Sequence, residues 1–506
     1  MTNVCPPCAK TLRTVPPIYD RQLLNASLDE IKSAIRQHKA CIAALEKREQ
    51  EAVQYLARVY PVFTLPNEIV SRIFIECLPS HGRVRPSPIR APLLLAQICH
   101  HWREIALSTC ELWTSADVDA GLHLPSLAPR VGTVERLLPL LQTWFSRAQA
   151  CPLSLTVRSR YEKLPVAIYS IISAFAERLH RVELNLSVDD LRALQQLSIS
   201  LPHVRQLAVP FNLGAYLALE SPFRAITIFP NTPRLQDLAI GQCTISELGI
   251  YQNLTRLRLS QASIDQILQI LQSRSQITDF TAVLLRPSSS RSFSAPPPLT
   301  HIHSLALFEY EGDTVVEVML GLLTIPNLRR LELGVNKQPP SLLAFLNRSA
   351  CPLEHLSLGS NFAQDCLAVL PSLKTLEVQV DPRTIIHFRE VLEIPTLVPH
   401  LHALSVIVND IKDSDDADPG VDNAKDFDYA AFARSLETRR RQNPNLRSLK
   451  LRLYHTFEFG PPGTPWLPKH AREELERLIA DGMRIQVNFA LSLGWPELAD
   501  RCGTFP

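Results

Sequence analysis

The sequence has little glycine, no enzyme signature and no long apolar run. Its 506 residues include 16 glycines but 40 prolines, which favours many short elements with proline-opened turns. The motifs of phosphate-binding loops, dinucleotide-binding folds, serine-hydrolase elbows and zinc proteases are all missing, so we expect no catalysis, no cofactor and no metal. The longest apolar stretch, residues 164–176, is shorter than the about 20 residues that a membrane span needs, so we expect no membrane partner.

Charge of one sign is also lacking, since 52 Lys and Arg residues nearly balance 50 Asp and Glu residues. A net charge of +2 gives no overall attraction to nucleic acid or to an anionic membrane. Residues 1–17 lack the apolar core of a secretory signal, and the 11 cysteines lie mostly in apolar runs, as reduced, buried thiols do. We therefore expect a folded protein of the cytoplasm or the nucleus.

Residues 24–59 carry a heptad pattern, in which the seam residues alternate at spacings of four and three. The seam consists of Leu24, Leu28, Ile31, Ile35, His38, Ile42, Leu45, Glu49, Ala52, Leu56 and Val59. After a disordered head at residues 1–20, the pattern predicts a long helix or coiled coil over residues 21–60. Two interpretations stay open: the helix packs on the following domain, or it forms a homodimer through residues 24–59.

After Trp113 a short pattern recurs, made of an apolar residue, two others, an apolar residue, one other and an apolar residue. Its copies are Leu179-Val182-Leu184, Val204-Leu207-Val209, Leu235-Leu238-Ile240, Leu254-Leu257-Leu259, Ile302-Leu305-Leu307, Leu328-Leu331-Leu333, Leu353-Leu356-Leu358, Leu373-Leu376-Val378, Leu401-Leu404-Val406 and Leu446-Leu449-Leu451, with a degenerate copy at Ile277-Phe280-Ala282. This pattern and its period of about 20 to 30 residues match the leucine-rich repeat, in which each copy supplies a strand and a helix. Because one copy cannot bury its apolar face alone, the sequence predicts an α/β solenoid over residues 130–490.

Three segments interrupt the predicted repeats as loops, near residues 286–298, 410–428 and 459–468. The first is rich in Ser and Pro, the second in Asp, and the third in Pro and Gly. An amphipathic helix at residues 471–483 and a last strand at residues 484–490 are predicted to cap the end of the repeats.

Between Leu65 and Trp113 the chain has more apolar helix surface than about fifty residues can bury. The first predicted helix carries two adjacent apolar rows, which are Ile69, Ile73 and Cys77, and Val70, Phe74 and Leu78. A surface helix usually has a single apolar stripe, so two rows predict burial on two sides. The second row packs either on a partner or on the repeats or the residue 24–59 helix of the same chain.

The strings LPNEIVSRIF, QICHHWREIALST and ELW stand in the order of an F-box. The chain resembles F-box proteins of mushroom-forming fungi, which often carry a preceding helix and trailing leucine-rich repeats. The resemblance implies a small all-α F-box domain at residues 62–115 that docks onto the Skp adaptor of the SCF (Skp–cullin–F-box) ubiquitin ligase. Carried onto this sequence, the adaptor contacts are Leu65, Pro66, Ile69, Ile73, Leu78, Leu95, Ile98, Cys99 and Trp102. Two features depart from the family: the spacer at residues 80–90 is long, and Cys110 replaces a common proline.

The resemblance further implies a non-catalytic receptor subunit whose repeats bind a target protein for ubiquitination. The candidate target-binding residues face outward from the predicted strands and are Arg205, Arg256, Arg258, Arg329, Glu332, His355, Lys374, Arg447 and Lys450. Most of them are basic, which favours a partly acidic target. The alternative is an interaction scaffold that holds the adaptor or another partner without ubiquitin transfer.

Three further motifs have plainer interpretations. Cys5-Pro-Pro-Cys8 is spelled like a redox motif but lies outside any predicted strand–helix turn. The adjacent side chains of Cys99-His100-His101 point about 100° apart on a helix and cannot easily share a metal ion. Arg439–Arg441 could bind nucleic acid or serve as a nuclear address, but we expect it to form a charged rim of the solenoid.

Overall fold

The chain is a mixed α/β protein with a large parallel sheet. The computed structural model describes residues 21–59, 65–79, 82–119, 133–158, 166–186, 190, 194, 199–209, 231–241, 248, 251–285, 294–309, 315–334, 340–359, 364–380, 384–410, 429–455 and 469–491. The predicted head at residues 1–20, most of the first two predicted loops and all of the third lie outside these residues. The chain divides into a helical unit, Met1–Leu78 with Ala91–Thr109, and a sheet unit, Pro79–Arg90 with Cys110–Pro506.

Within its described residues, the helical unit contains one long helix and three short ones. They are α1 (Arg21–Val59), α2 (Asn67–Glu76), α3 (Leu95–Ile98) and α4 (His100–Ser108). Helix α1 forms where the heptad pattern predicts it, and α2 begins directly after Pro66. Proline suits that place because its fixed φ is already helical and no amide donor is needed there, while Glu68 in the first turn stabilises the positive end of the helix.

In the part of the sheet unit that the structure describes, fourteen strands form one sheet and lie side by side in the order of the sequence. The strands are β1 (Ser115–Asp119), β2 (Leu153–Arg158), β3 (Leu179–Asn185), β4 (Gln206–Val209), β5 (Asp237–Ile240), β6 (Arg256–Ala262), β7 (Asp279–Leu284), β8 (Ser304–Glu309), β9 (Arg330–Gly334), β10 (His355–Leu358), β11 (Thr375–Val380), β12 (Ala403–Asp410), β13 (Ser448–His455) and β14 (Arg484–Leu491). Every neighbouring pair is parallel.

Helices lie in most of the connections between strands. They are α5 (Thr133–Arg147), α6 (Val166–Ala174), α7 (Ile264–Ser273), α8 (Val315–Leu322), α9 (Ser341–Ser349), α10 (Gln364–Ala368), α11 (Thr384–Glu393), α12 (Tyr429–Gln442) and α13 (Lys469–Ala480). Helix α7 shows how the sequence sets such a start: Ser263 Oγ accepts from Gln266 N at 3.4 Å, and Gln266 Oε1 accepts from Ser263 N at 3.1 Å. In the described part of the chain, no helix is both long enough and apolar enough to cross a bilayer.

The recurring apolar pattern forms the core of the sheet unit. Leu331, Leu356 and Leu376 are direct register partners on β9, β10 and β11, and all three are buried. Equivalent residues of neighbouring strands therefore stack about 4.8 Å apart, and each strand covers part of the next. All ten predicted copies are confirmed as strands, and the degenerate copy is β7, where Phe280 and Ala282 are buried.

The sheet begins earlier than the repeat pattern indicates. Strand β1 starts at Ser115, before the predicted lower bound of residue 130, and its neighbour β2 was also not recognised as a copy. The closing residues of the predicted 62–115 domain, Leu112 and Trp113, belong to the sheet unit as well. Trp113 is fully buried there and meets Trp144 edge-on, with 4.8 Å between ring centroids. These large apolar side chains find their cover on α5, which explains the shifted boundary.

Candidate interaction surfaces

Helix α2 has one buried and one exposed apolar row. Val70 and Phe74 are each 1% exposed, whereas Ile69 is 49% and Ile73 40% exposed. Cys77, which continues the second row, is exposed as well. The two rows predicted from the sequence therefore have different environments, and the row of Ile69, Ile73 and Cys77 stays open to a partner.

The buried row is held by contacts with α4. The rings of Phe74 and Trp102 meet edge-on with 5.0 Å between centroids. The hydroxyl groups of Ser71 and Thr109 are hydrogen-bonded at 2.9 Å, and Thr109 Oγ1 donates to the Ile105 carbonyl at 2.7 Å. These contacts fix the rotation of α2, so the exposed row has a defined orientation on the helical unit.

A single residue, Cys99, connects α3 to α4 at a short helix–helix junction. Cys99 lies at the N-cap of α4, where its Sγ accepts from Trp102 N at 3.4 Å, and Arg103 Nε donates to the Ala96 carbonyl at 2.8 Å. On the solvent side of this junction Leu94 is 43% and Ile98 53% exposed. Sequence reasoning named Ile98 as a contact but missed Leu94, although the spacing of four between them indicates a common helix face.

The nine predicted adaptor contacts differ in their exposure. Pro66, Ile69, Ile73 and Ile98 are exposed, Leu65, Leu78, Cys99 and Trp102 are half-buried, and Leu95 is buried. Leu95 therefore contributes to the inside of the helical unit, while the four exposed residues can meet another polypeptide without any rearrangement.

In the Cys99-His100-His101 string, Cys99 and His100 contact neighbouring residues of the same helix. Cys99 caps α4, and His100 Nδ1 lies 3.5 Å from Glu104 one turn further on. Across the residues that the structure describes, no group of three or more His, Cys, Asp or Glu side chains is placed to hold a metal ion. Cys5 and Cys8 lie outside those residues.

The long spacer lies along the first strands of the sheet unit. Asp117 N donates to the Val84 carbonyl at 2.8 Å, and Ser115 Oγ donates to the Gly82 carbonyl at 2.6 Å. Arg83 reaches the Glu183 carboxylate on β3 at 2.8 Å. The described part of the spacer, residues 82–90, is therefore bound to the first strands of the sheet.

The spacer's arginines enter a network of buried charges on the sheet face. The carboxylates of Asp117, Glu183 and Asp237 are all buried. Arg158 pairs with Asp117, and Arg85 lies 3.9 Å from the same carboxylate. Burial raises the pKa of Glu183, and the nearby guanidinium groups of Arg83 and Arg181 oppose that rise. Burial lowers the pKa of Arg181. Charge on this part of the face is thus neutralised internally.

Replacing Arg83 by alanine should lower the free energy of unfolding of the sheet unit by about 2 kcal/mol, because it leaves the buried Glu183 carboxylate with less compensation. Neighbouring Arg181 keeps the loss from being larger. Chemical denaturation measures the effect. Arg72→Ala is the matched control, since the Arg72–Glu76 pair on α2 is exposed and its loss should cost less than about 0.5 kcal/mol. Equal losses for both variants would contradict the buried-pair account.

Four of the predicted target-binding residues form one row at the start of the strands. Each of the four stands directly before a strand and has an exposed side chain; they are Arg205, Arg329, Lys374 and Arg447. Backbone hydrogen bonds join this row across the sheet, for example from Arg329 N to the His303 carbonyl and from Arg447 N to the His402 carbonyl, each at 2.9 Å. These basic residues therefore lie along the end of the sheet at which the strands begin, and we call this end the basic edge.

The basic edge has features that the sequence pattern did not select. His303 and His402 are exposed members of the same row. Arg205 also lines a shallow pocket of about 320 Å³ together with Arg234, Gln236 and Asn253. One charge is locally balanced, since Lys374 Nζ lies 3.1 Å from Glu354, whose pKa this hydrogen bond lowers.

The other predicted target residues are less accessible. Arg258 is buried, and its guanidinium is 2.9 Å from Asp237, which also pairs with the half-buried Arg256 at 3.1 Å. Glu332, His355 and Lys450 are half-buried. Burial lowers the pKa of His355, and the charge of Arg330 adds to that effect. Arg258 contributes to the face of the sheet itself rather than to an open surface.

Arg439–Arg441 was predicted to form a charged rim, and this is wrong for Arg439. Arg439 is 1% exposed and donates to the carbonyls of Ile394, Leu397 and Val398. Arg440 donates to the carbonyls of Leu478 and Asp481. Arg441 remains outside and pairs with Glu437 at 2.5 Å. Arg439 and Arg440 therefore make internal contacts with backbone carbonyls, and Arg441 alone of the three is exposed.

The described cysteines are free thiols, as expected, but most are not buried. Cys366 is buried, Cys77 is exposed, and Cys41, Cys99, Cys110, Cys151 and Cys351 are half-buried. Cys110 accepts from Cys151 Sγ at 3.2 Å and donates to Glu111 Oε2 at 3.3 Å. The contact with Cys151, together with burial, raises the pKa of Cys110 to about 11. The thiol is therefore protonated at neutral pH and serves as a hydrogen-bond donor.

The molecule thus offers an exposed apolar surface on the helical unit and a basic edge on the sheet unit. When the sequence was compared with known protein families and with curated proteins, no family model and no curated protein matched it.

Proposed function

We propose that the chain is the substrate-recognition subunit of an SCF-type ubiquitin ligase. Residues 62–115 act as an F-box that docks onto the Skp adaptor, which joins the chain to the cullin scaffold. The fourteen-stranded unit acts as an irregular leucine-rich-repeat solenoid that binds the target protein. The chain performs no chemistry itself, because tethering the target beside the ubiquitin-carrying enzyme is enough to raise its effective concentration.

One observation carries the docking proposal. Ile69 and Ile73 lie on a helix whose adjacent apolar row, Val70 and Phe74, is already buried, and they expose branched apolar side chains that a second polypeptide can cover. Burying such a side chain completely stabilises a complex by about 1.5–3 kcal/mol. The half-buried Trp102, packed on Phe74, supplies a rigid aromatic base of the type that anchors interfaces.

Co-purification of the full chain with the Skp adaptor and the cullin scaffold tests this proposal. A receptor subunit brings down both proteins from a purified mixture. Binding of the adaptor without the cullin would instead favour the second candidate, an interaction scaffold without ubiquitin transfer. Failure to retain the adaptor at micromolar concentrations would end the docking proposal.

The basic edge supports the choice of a partly acidic target. Arg329, Lys374 and Arg447 precede strands that lie two apart, which places them about 10 Å from one another along the sheet, so they can face one extended acidic segment. Positive charge along such an edge accelerates association with a negative partner, and added salt reduces this acceleration by screening the charges.

Replacing Arg329 and Arg447 by glutamate should reduce capture of the target by about tenfold, because two attractive contacts become repulsive. Proximity labelling with the full chain, quantified against the wild type, measures the loss. The control changes Arg441 and Arg477 to glutamate, two exposed arginines that lie on helices. If the control loses the same labelled proteins to the same extent, the basic edge is not the target surface.

A further inference from the structure

Helix α1 carries an apolar seam that is open to solvent. Leu28, Ile35, Ile42 and Leu45 are 48%, 48%, 54% and 56% exposed, while Ile31 and His38 between them are half-buried. Their spacing alternates between three and four, so they occupy the a and d positions of a heptad. A stripe of this kind packs against another helix with the same repeat, and a second copy of α1 has that repeat by necessity.

The seam's polar residues select the orientation of the two copies. In a parallel, in-register pair each seam residue faces its own equivalent, so Glu49 would face Glu49 of the second copy and two carboxylates would repel. In an antiparallel pair a positions face d positions. One antiparallel register places His38 opposite Glu49, Ile42 opposite Leu45 and Ile35 opposite Ala52, each twice by symmetry.

Flanking charges agree with the same register. Lys39 and Glu46 both occupy e positions, and the antiparallel register that pairs His38 with Glu49 also brings Lys39 beside Glu46 of the second copy. In a parallel pair the residues facing Lys39 and Glu46 would be Ala34 and Cys41, which carry no opposite charge. Apolar matching and charge complementarity therefore point to one arrangement.

We propose that α1 is a dimerisation helix that pairs with α1 of a second copy in antiparallel orientation. The copies are joined by the Ile35, Ile42, Leu45 and Ala52 layers, and the two His38–Glu49 pairs fix the register. Such a pair gives the assembly two copies of every other surface on the chain. The inference is independent of what the exposed row of α2 binds.

The test measures the self-association constant of the full chain by sedimentation equilibrium. His38→Glu sets a carboxylate against Glu49 of the second copy, and Glu49→Lys sets an ammonium group against His38. Each single variant is expected to weaken dimerisation by about tenfold or more. The double variant H38E/E49K restores an opposite-charge pair across the antiparallel interface, and its association constant should return to within about threefold of the wild type.

Gln37→Glu and Gln50→Lys introduce the same charges on the outer face of α1 and should leave the association constant unchanged. Circular dichroism of each variant confirms that helix content is retained. A chain that stays monomeric at about 100 μM would overturn the proposal, since that leaves less than about 5.5 kcal/mol for association. A double variant that dimerises more weakly than either single one would indicate a parallel pair and overturn it equally, as would dimerisation that no variant affects.

Discussion

Replacing Ile73 by aspartate is expected to lower the affinity of the full chain for the Skp adaptor by roughly 100-fold, or about 3 kcal/mol. The side chain is 40% exposed in the free chain and would be covered in the complex. An aspartate there loses the apolar contact and must also surrender its hydration without a partner for its charge. Titration calorimetry with purified adaptor measures the ratio of the two dissociation constants.

The same change should leave the free chain folded. Because Ile73 lies on the open row rather than beside Val70 and Phe74, its replacement should alter the free energy of unfolding by less than about 1 kcal/mol. Ile386→Asp on α11 is the matched control, an isoleucine of similar exposure in the sheet unit, and it should bind the adaptor like the wild type. Undiminished affinity of Ile73→Asp would show that α2 does not dock the adaptor.

Replacing Arg439 by methionine is expected to lower the free energy of unfolding of the sheet unit by about 4 kcal/mol. Methionine fills similar space, but the carbonyl of Ile394 and the buried carbonyls of Leu397 and Val398 lose their charged donor. Val398 already has a φ of 41°, a left-handed conformation that costs a β-branched residue about 1–3 kcal/mol. The Arg439 hydrogen bonds hold this strained turn between α11 and β12.

Hydrogen exchange at the backbone amides of β12 and β13, followed during denaturation, measures the free energy of unfolding that Arg439→Met removes from this part of the sheet unit. Arg441→Met, two residues away on the same helix, removes only an exposed pair with Glu437 and should cost less than about 0.5 kcal/mol. Equal effects of the two substitutions would contradict the structural role of Arg439.

Arg348 acts in a similar way at the end of α9, where it donates to the carbonyls of Leu320 and Leu323 at 2.6 Å.

Much of the sheet could be predicted because one repeating requirement sets its pattern. Each strand must place two or three apolar side chains into the core, and the spacing seen at Leu331 and Leu333 recurs in every recognised copy. Strand β1 was not recognised because its sequence, SADVD, offers only Ala116 and Val118 as apolar residues. Strand β2 was not recognised because Leu153 stands two residues before Leu155, whereas the pattern requires a spacing of three. A short pattern loses its signal when one apolar position changes.

The exposed row of α2 could also be predicted, since two apolar rows on a helix of ten residues exceed what one neighbour can cover. Which row is buried could not, because that depends on long-range partners such as Trp102 and Thr109. The same limit applies to the arginines. Arg439, Arg440 and Arg441 are identical in type and adjacent in sequence, yet only the contacts of the folded chain separate the buried one from the exposed one.

Side-chain footprinting of the full chain, with and without saturating Skp adaptor, examines the exposed row most directly. We predict that labelling of Ile69, Ile73 and Ile98 falls several-fold when the adaptor is bound, while labelling of the comparably exposed Ile386 and Ile479 does not change. Labelling of Ile73 that is the same in the free chain and in the adaptor complex would contradict docking through this surface.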